Sequence, residues 1–172
     1  MTTVEDRLAV LEARVEALED ELAVHRLITT YGFAVDTGEA EATAALFTSD
    51  CVFDVDGRNV MRGQSDVEAM VNGVGHQSLL PDAAHCIGPA VVELRGDRAF
   101  ATGYSRIYHR EDDGIRLFRL GFNRWELVRV GDSWRIRRRT TRMIGSDEAQ
   151  RVLRTGVPGA RGDDAPVEPP PG

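Results

Sequence analysis

The chain predicts an α+β roll, cone-shaped: a curved, mostly antiparallel sheet, about three helices enclosing a cavity with it, and an N-terminal helical extension. Three observations carry that expectation. Apolar residues recur at helical spacing through the first part of the chain, and from Ala84 onward they alternate with period two in long runs broken by glycine–aspartate turns. The 172 residues with 42% hydrophobic content suffice for one core with tails. Helices followed by a long meander give a sheet that bends round while the helices close one side.

In order, Val4, Leu8, Leu11, Val15, Leu18 and Leu22 repeat at spacings of four and three, a heptad seam flanked by Glu and Arg. This stretch, residues 1–24, either joins subunits or lies on its own domain. Past Leu22 the stripe shifts to Leu27, Ile28, Tyr31 and Val35, and the domain, residues 25–154, begins. Thr37-Gly38 stops the helix. A shorter alanine-rich helix is expected over 39–47, then a strand 51–56 turning at Gly57-Arg58 into a short partner at 59–61. Ser65 and Glu68 have capping-box spacing for a helix over 66–73, and 75–82 reads as a loop. Four strands follow at 84–94, 98–109, 115–130 and 133–144, and a short helix over 147–153 precedes a tail, 155–172, rich in Gly, Asp and Pro and expected to be disordered.

Composition removes several functions. A net charge of −7 argues against a nucleic-acid surface, and the arginine run Arg135, Arg137, Arg138, Arg139 and Arg142 falls in a strand pattern where one face is commonly solvated or paired. All 21 basic residues are arginine, which excludes Schiff-base chemistry on lysine. Cys51 and Cys86 show no metal or disulfide spacing and read as small buried residues. His25, His76, His85 and His109 lack the paired spacing of zinc ligands. No metal or cofactor is expected. Without a signal segment or an apolar run of membrane length, the expectation is a cytoplasmic protein with no membrane partner.

The residue that stands out is Asp36. At the end of the first helix its carboxylate faces the negative end of the helix dipole, flanked by Phe33, Ala34 and Val35, so it needs a compensating donor. The turn amides at Thr37 and Gly38 could supply one; so could a histidine. An Asp held against one ring nitrogen of His85 or His109 fixes the tautomer and makes the other nitrogen a general base. In the strand 98–109, alternation groups Ala99, Ala101, Gly103, Ser105, Ile107 and His109 on a small-residue face that leaves room for a pocket. In the next strand Asn123 shares a face with Leu117, Arg119, Gly121 and Trp125.

With these residues in view the chain resembles the SnoaL-like branch of the nuclear transport factor 2-like superfamily, over about residues 22–144. Tyr31 and Asp36, the run from Leu46 to Phe53, Gly63, Ala84-His85-Cys86-Ile87-Gly88 and Gly131-Asp132-Ser133-Trp134-Arg135-Ile136 carry the resemblance. It is similar in motif to the scytalone and bile-acid dehydratases. The resemblance implies an Asp36–His85 dyad, Tyr31 contributing to the pocket and His109 as a second histidine; Asn123, Ser105, Phe33 and Phe53 are the residues expected to contact substrate. It implies a cofactor-independent dehydratase acting on a small apolar hydroxy-ketone, a polyketide- or steroid-like ring compound, in a homotrimer or homodimer. The fold equally hosts isomerases, cyclases, ligand-binding modules and oxygenase small subunits.

Overall fold

The computed structural model describes residues 3–160. The first helix, α1 (Val4–Asp36), is opened by a capping box in which the Thr3 hydroxyl accepts from the Asp6 amide and the Asp6 carboxylate accepts from the Thr3 amide. After Gly38, in the left-handed conformation that glycine tolerates, come α2 (Ala40–Ala45), β1 (Phe47–Val55) and β2 (Asn59–Arg62). Then follow α3 (Gly63–Asn72), α4 (Val74–Gln77), β3 (Ala83–Arg95), β4 (Arg98–Glu111), β5 (Gly114–Val130), β6 (Ser133–Met143) and α5 (Asp147–Arg154).

The six strands form one sheet in the order β2-β1-β6-β5-β4-β3. The expected meander is present as β3 to β6, antiparallel throughout, and the β1–β2 hairpin joins it through a parallel pairing of β1 with β6. One face carries the main core, where Trp125, Leu127, Trp134, Ile136 and Phe47 meet Val24, Ile28 and Val35 of α1 and Val67 and Val71 of α3. The opposite face is covered locally by α5, whose Ala149 and Val152 pack on Phe122.

Bulges decide which side chains face inward. On β6, Trp134 and Ile136 point to the core, but the pairing shifts by one residue at Arg137, and beyond it the odd-numbered Arg139 and Thr141 turn inward. The same shift sends Arg142 to the other face, where it pairs with the fully buried Asp54 at 2.8 Å and with Glu148 at 2.7 Å. The arginine run is therefore neither uniformly solvated nor confined to one face.

Several local expectations are corrected. Helix α3 begins at Gly63 with Arg62 at its cap, and the Asp66 carboxylate, rather than a Ser65–Glu68 box, accepts from the Arg62 amide. The helix expected over 39–47 ends at Ala45, because Phe47 is drawn into the sheet beside Ile136. Part of the 75–82 loop is the helical turn α4. Cys51 is buried as expected, but Cys86 is an exposed free thiol. The tail lies outside the described residues from 161 onward; residues 155–160 continue α5 as turns.

Candidate active site

The end of α1 meets the start of β3 at one point. Gly32 makes the approach possible: a β-carbon there would collide with the His85 carbonyl oxygen. One turn further on, Asp36 reaches His85 with both oxygens. Oδ2 accepts from the His85 backbone amide at 2.6 Å and Oδ1 from ring Nδ1 at 2.6 Å. The donor Asp36 required at the negative end of its helix is therefore His85, twice, and not the turn amides. Because a carboxylate only accepts, the ring proton sits on Nδ1 and Nε2 is left as the basic nitrogen. Both side chains are largely buried, and His85 lines a cavity of about 720 Å³, within the size range of small-ligand sites.

The cavity lies between the inner sheet face and α3–α4. Its apolar walls include Phe53, Val60, Met61, Met70, Ile107 and Phe118. Tyr31 lines it from α1, edge-on to Phe47 and Phe53. Burial pushes the Tyr31 phenol above its ordinary pKa, partly offset by the neighbouring Arg139 charge, so Tyr31 stays a neutral hydrogen-bond donor.

Arg139 is the site's unexpected member. Its guanidinium is 4% exposed, has no carboxylate partner among the described residues, and lies over the rings of Tyr31 (4.2 Å), Phe53 (4.6 Å) and Trp125 (5.6 Å). Nε and Nη2 donate to the Asn123 side-chain oxygen, whose amide in turn donates to Ser105 Oγ at 2.8 Å. Nη1 of Arg139 and Oγ1 of Thr141 are buried without a hydrogen-bond partner among the described residues. Burial pulls the Arg139 guanidinium below its usual range, opposed by Tyr31. The site thus combines a basic nitrogen with a region of positive potential about a phenol.

The expected residues divide clearly. Asp36, His85, Tyr31, Phe53 and Ser105 come together at or immediately behind the cavity wall. Asn123 is fully buried behind that wall, holding Arg139 and Ser105 in place instead of facing a ligand. Phe33 is 67% exposed on the outer side of α1, because the helix turns Tyr31 and Val35 inward and leaves position 33 opposite them. His109 packs beside Phe118 at 6.2 Å and does not line the cavity; it lies near the far end of β4, paired with Arg116 beyond the β5 bulge at Phe118.

The second histidine at the site is His76, from α4. Its Nε2–H donates to the Val35 carbonyl at 2.7 Å, its ring centroid is 5.8 Å from that of His85, and it lines the cavity. With Nε2 committed as donor, Nδ1 is an acceptor. No periodicity marks His76, since it sits in a segment without strand or extended helical patterning. Its nearness in sequence to the His85 strand was the only available hint. Among the described residues, no three His, Cys, Asp or Glu side chains converge as they would around a metal ion.

An unclosed, curved sheet with a long leading helix and a cavity beneath it defines the NTF2-like α+β class. The SnoaL-like domain family matches residues 16–140, and the chain belongs to that family. An NTF2-like protein with a cystatin-like fold from Novosphingobium aromaticivorans is 32% identical, with TM-score 0.82 over 89% of this chain and 98% of that one. A candidate scytalone dehydratase from the same species is similar in fold at 20% identity, with TM-score 0.64 over 74% of this chain and 85% of its own. A protein of unknown function from Mycobacterium tuberculosis is similar at 23% identity, with TM-score 0.70 over 77% of this chain and 76% of its own. Among curated proteins none matches. The family includes dehydratases and isomerases, and no described helix is long and apolar enough to cross a membrane.

Proposed function

We propose that the protein is a cofactor-independent lyase, a dehydratase acting on a small, mostly apolar hydroxy-ketone such as a polyketide- or steroid-like ring compound. The observation that carries this reading is the doubly bonded Asp36–His85 pair on the wall of a mainly apolar cavity. His85 Nε2 takes the proton next to the ketone, and Asp36 holds the imidazolium that forms. The electron pair moves onto the carbonyl oxygen as an enolate, met by the Tyr31 hydroxyl with the Arg139 charge behind it. His76 Nδ1 accepts the hydrogen of the departing hydroxyl and orients its oxygen toward His85. The proton on His85 then returns to that oxygen, the enolate collapses to a carbon–carbon double bond, and water leaves.

The test is a panel of cyclic β-hydroxy-ketones, followed by enone absorbance and by deuterium uptake from heavy water. Wild-type protein is expected to form enone, and His85→Ala and Asp36→Asn each to lower the rate by roughly 10²- to 10⁴-fold. Deuterium uptake without loss of hydroxyl reassigns the site to an isomerase. Turnover untouched by either substitution removes the dyad from the chemistry, and binding without turnover on every member makes the cavity a ligand-binding site.

A further inference from the structure

The N-terminal half of α1 leaves a row of apolar side chains uncovered: Val4, Leu8, Leu11, Val15, Leu18 and Leu22 are between 48% and 77% exposed. Among the described residues, none of these six side chains belongs to a core cluster. At about 100° per residue these six fall within about 40° of one line along the helix, whereas Asp20, Val24, Leu27 and Tyr31, which hold α1 to the domain, fall about 140° to 180° away. Asp20 fixes that orientation, accepting from Arg129 and from the Trp134 indole on the sheet side. The row therefore points away from the body of the protein.

We propose that a second copy of this chain covers this row, forming a parallel, in-register two-stranded coiled coil. With Leu8, Val15 and Leu22 at position a and Val4, Leu11 and Leu18 at position d, the flanking g and e residues are charged. In a parallel pair each g residue meets the e residue five positions on in the partner: Arg7 with Glu12, Arg14 with Glu19, and Glu21 with Arg26. All three pairs have opposite sign. An antiparallel pair would set the e row, Glu5, Glu12 and Glu19, against itself. The acidic flanks also disfavour an anionic lipid surface as the occupant. Three heptads are short for an isolated coil, but here the helix is already nucleated: its C-terminal half is packed into the domain and its first turn is capped at Thr3. The interface is independent of the chemistry proposed for the cavity.

Light scattering and sedimentation of the full chain test it, with two variants. Leu11→Glu combined with Leu18→Glu is expected to halve the mass of the wild-type particle while leaving the thermal unfolding of the domain, read by the fluorescence of Trp125 and Trp134, unchanged. Leu18→Cys in a Cys86→Ser background is expected to cross-link into covalent dimers on mild oxidation, because like d positions face each other only in a parallel, in-register pair. A single-chain wild-type particle, a mass unmoved by the charged pair, or a threefold fall overturns the proposal. A Leu18→Cys protein that dimerises without cross-linking overturns the parallel arrangement. Should the doubly charged variant fail to fold, the cross-linking variant decides.

Discussion

At the scale of single residues, the site depends on a few side chains whose surroundings contradict their ordinary preferences. Asp36 stands at the wrong end of a helix dipole and is held there by two short bonds from His85. Arg139 is buried without a counter-charge among the described residues, held by three aromatic faces and the Asn123 oxygen. Beside it, Tyr31 has a phenol pKa raised by burial above its ordinary 10.0. A raised folded-state pKa contributes stability that is fully present below the unfolded value and is lost as pH rises through the folded one. Wild-type stability, measured by urea unfolding, is therefore expected to fall as pH climbs past about 10, and Tyr31→Phe to flatten that fall. Equal slopes in the two proteins would mean that the phenol is not shielded.

At the scale of elements, the decisive contact is between α1 and β3. The dyad exists because one helix touches one strand closely enough at Gly32 for Asp36, four residues on, to reach His85. Gly32→Ala places a methyl group against the His85 carbonyl and must separate the two elements. The expected cost is ~1–3 kcal/mol in urea unfolding, with loss of the Asp36–His85 bond visible as disappearance of the hydrogen-bonded His85 Nδ1–H resonance in NMR spectra. The local sequence announced Asp36, through the helix stop at Thr37-Gly38, and left His85 or His109 as its partner; the family resemblance singled out His85 at the strand opening. The sequence was silent on Gly32, which looks like any mid-helix glycine until the strand is placed beside it.

At the scale of the whole molecule, an open curved sheet roofed by α3 and α4 leaves a cavity that its own side chains do not fill. Ile107 lines it directly across the β3–β4 ladder from His85. Ile107→Trp should take up part of that volume beside His85, raising KM for ring substrates severalfold at a stability cost of no more than ~1–3 kcal/mol. An unchanged KM with bulky ring substrates would place their binding elsewhere. Sequence by itself determined the class of fold, the run of helices and strands, the heptad row on α1, and Asp36 as a carboxylate in need of a donor, with His85 and His109 both open as its partner. Each of these is written in short-range periodicity, turn chemistry or the polarity of a helix end. Only the tertiary structure decided which side chains complete the site. It turned Arg139 and Thr141 inward at the Arg137 bulge, brought His76 from α4 to the cavity wall, and left His109 beside Phe118 and Phe33 outside. The physical reason is that one inserted residue exchanges the two faces of a strand, and a bulge is set by pairing with a distant strand rather than by its own residues.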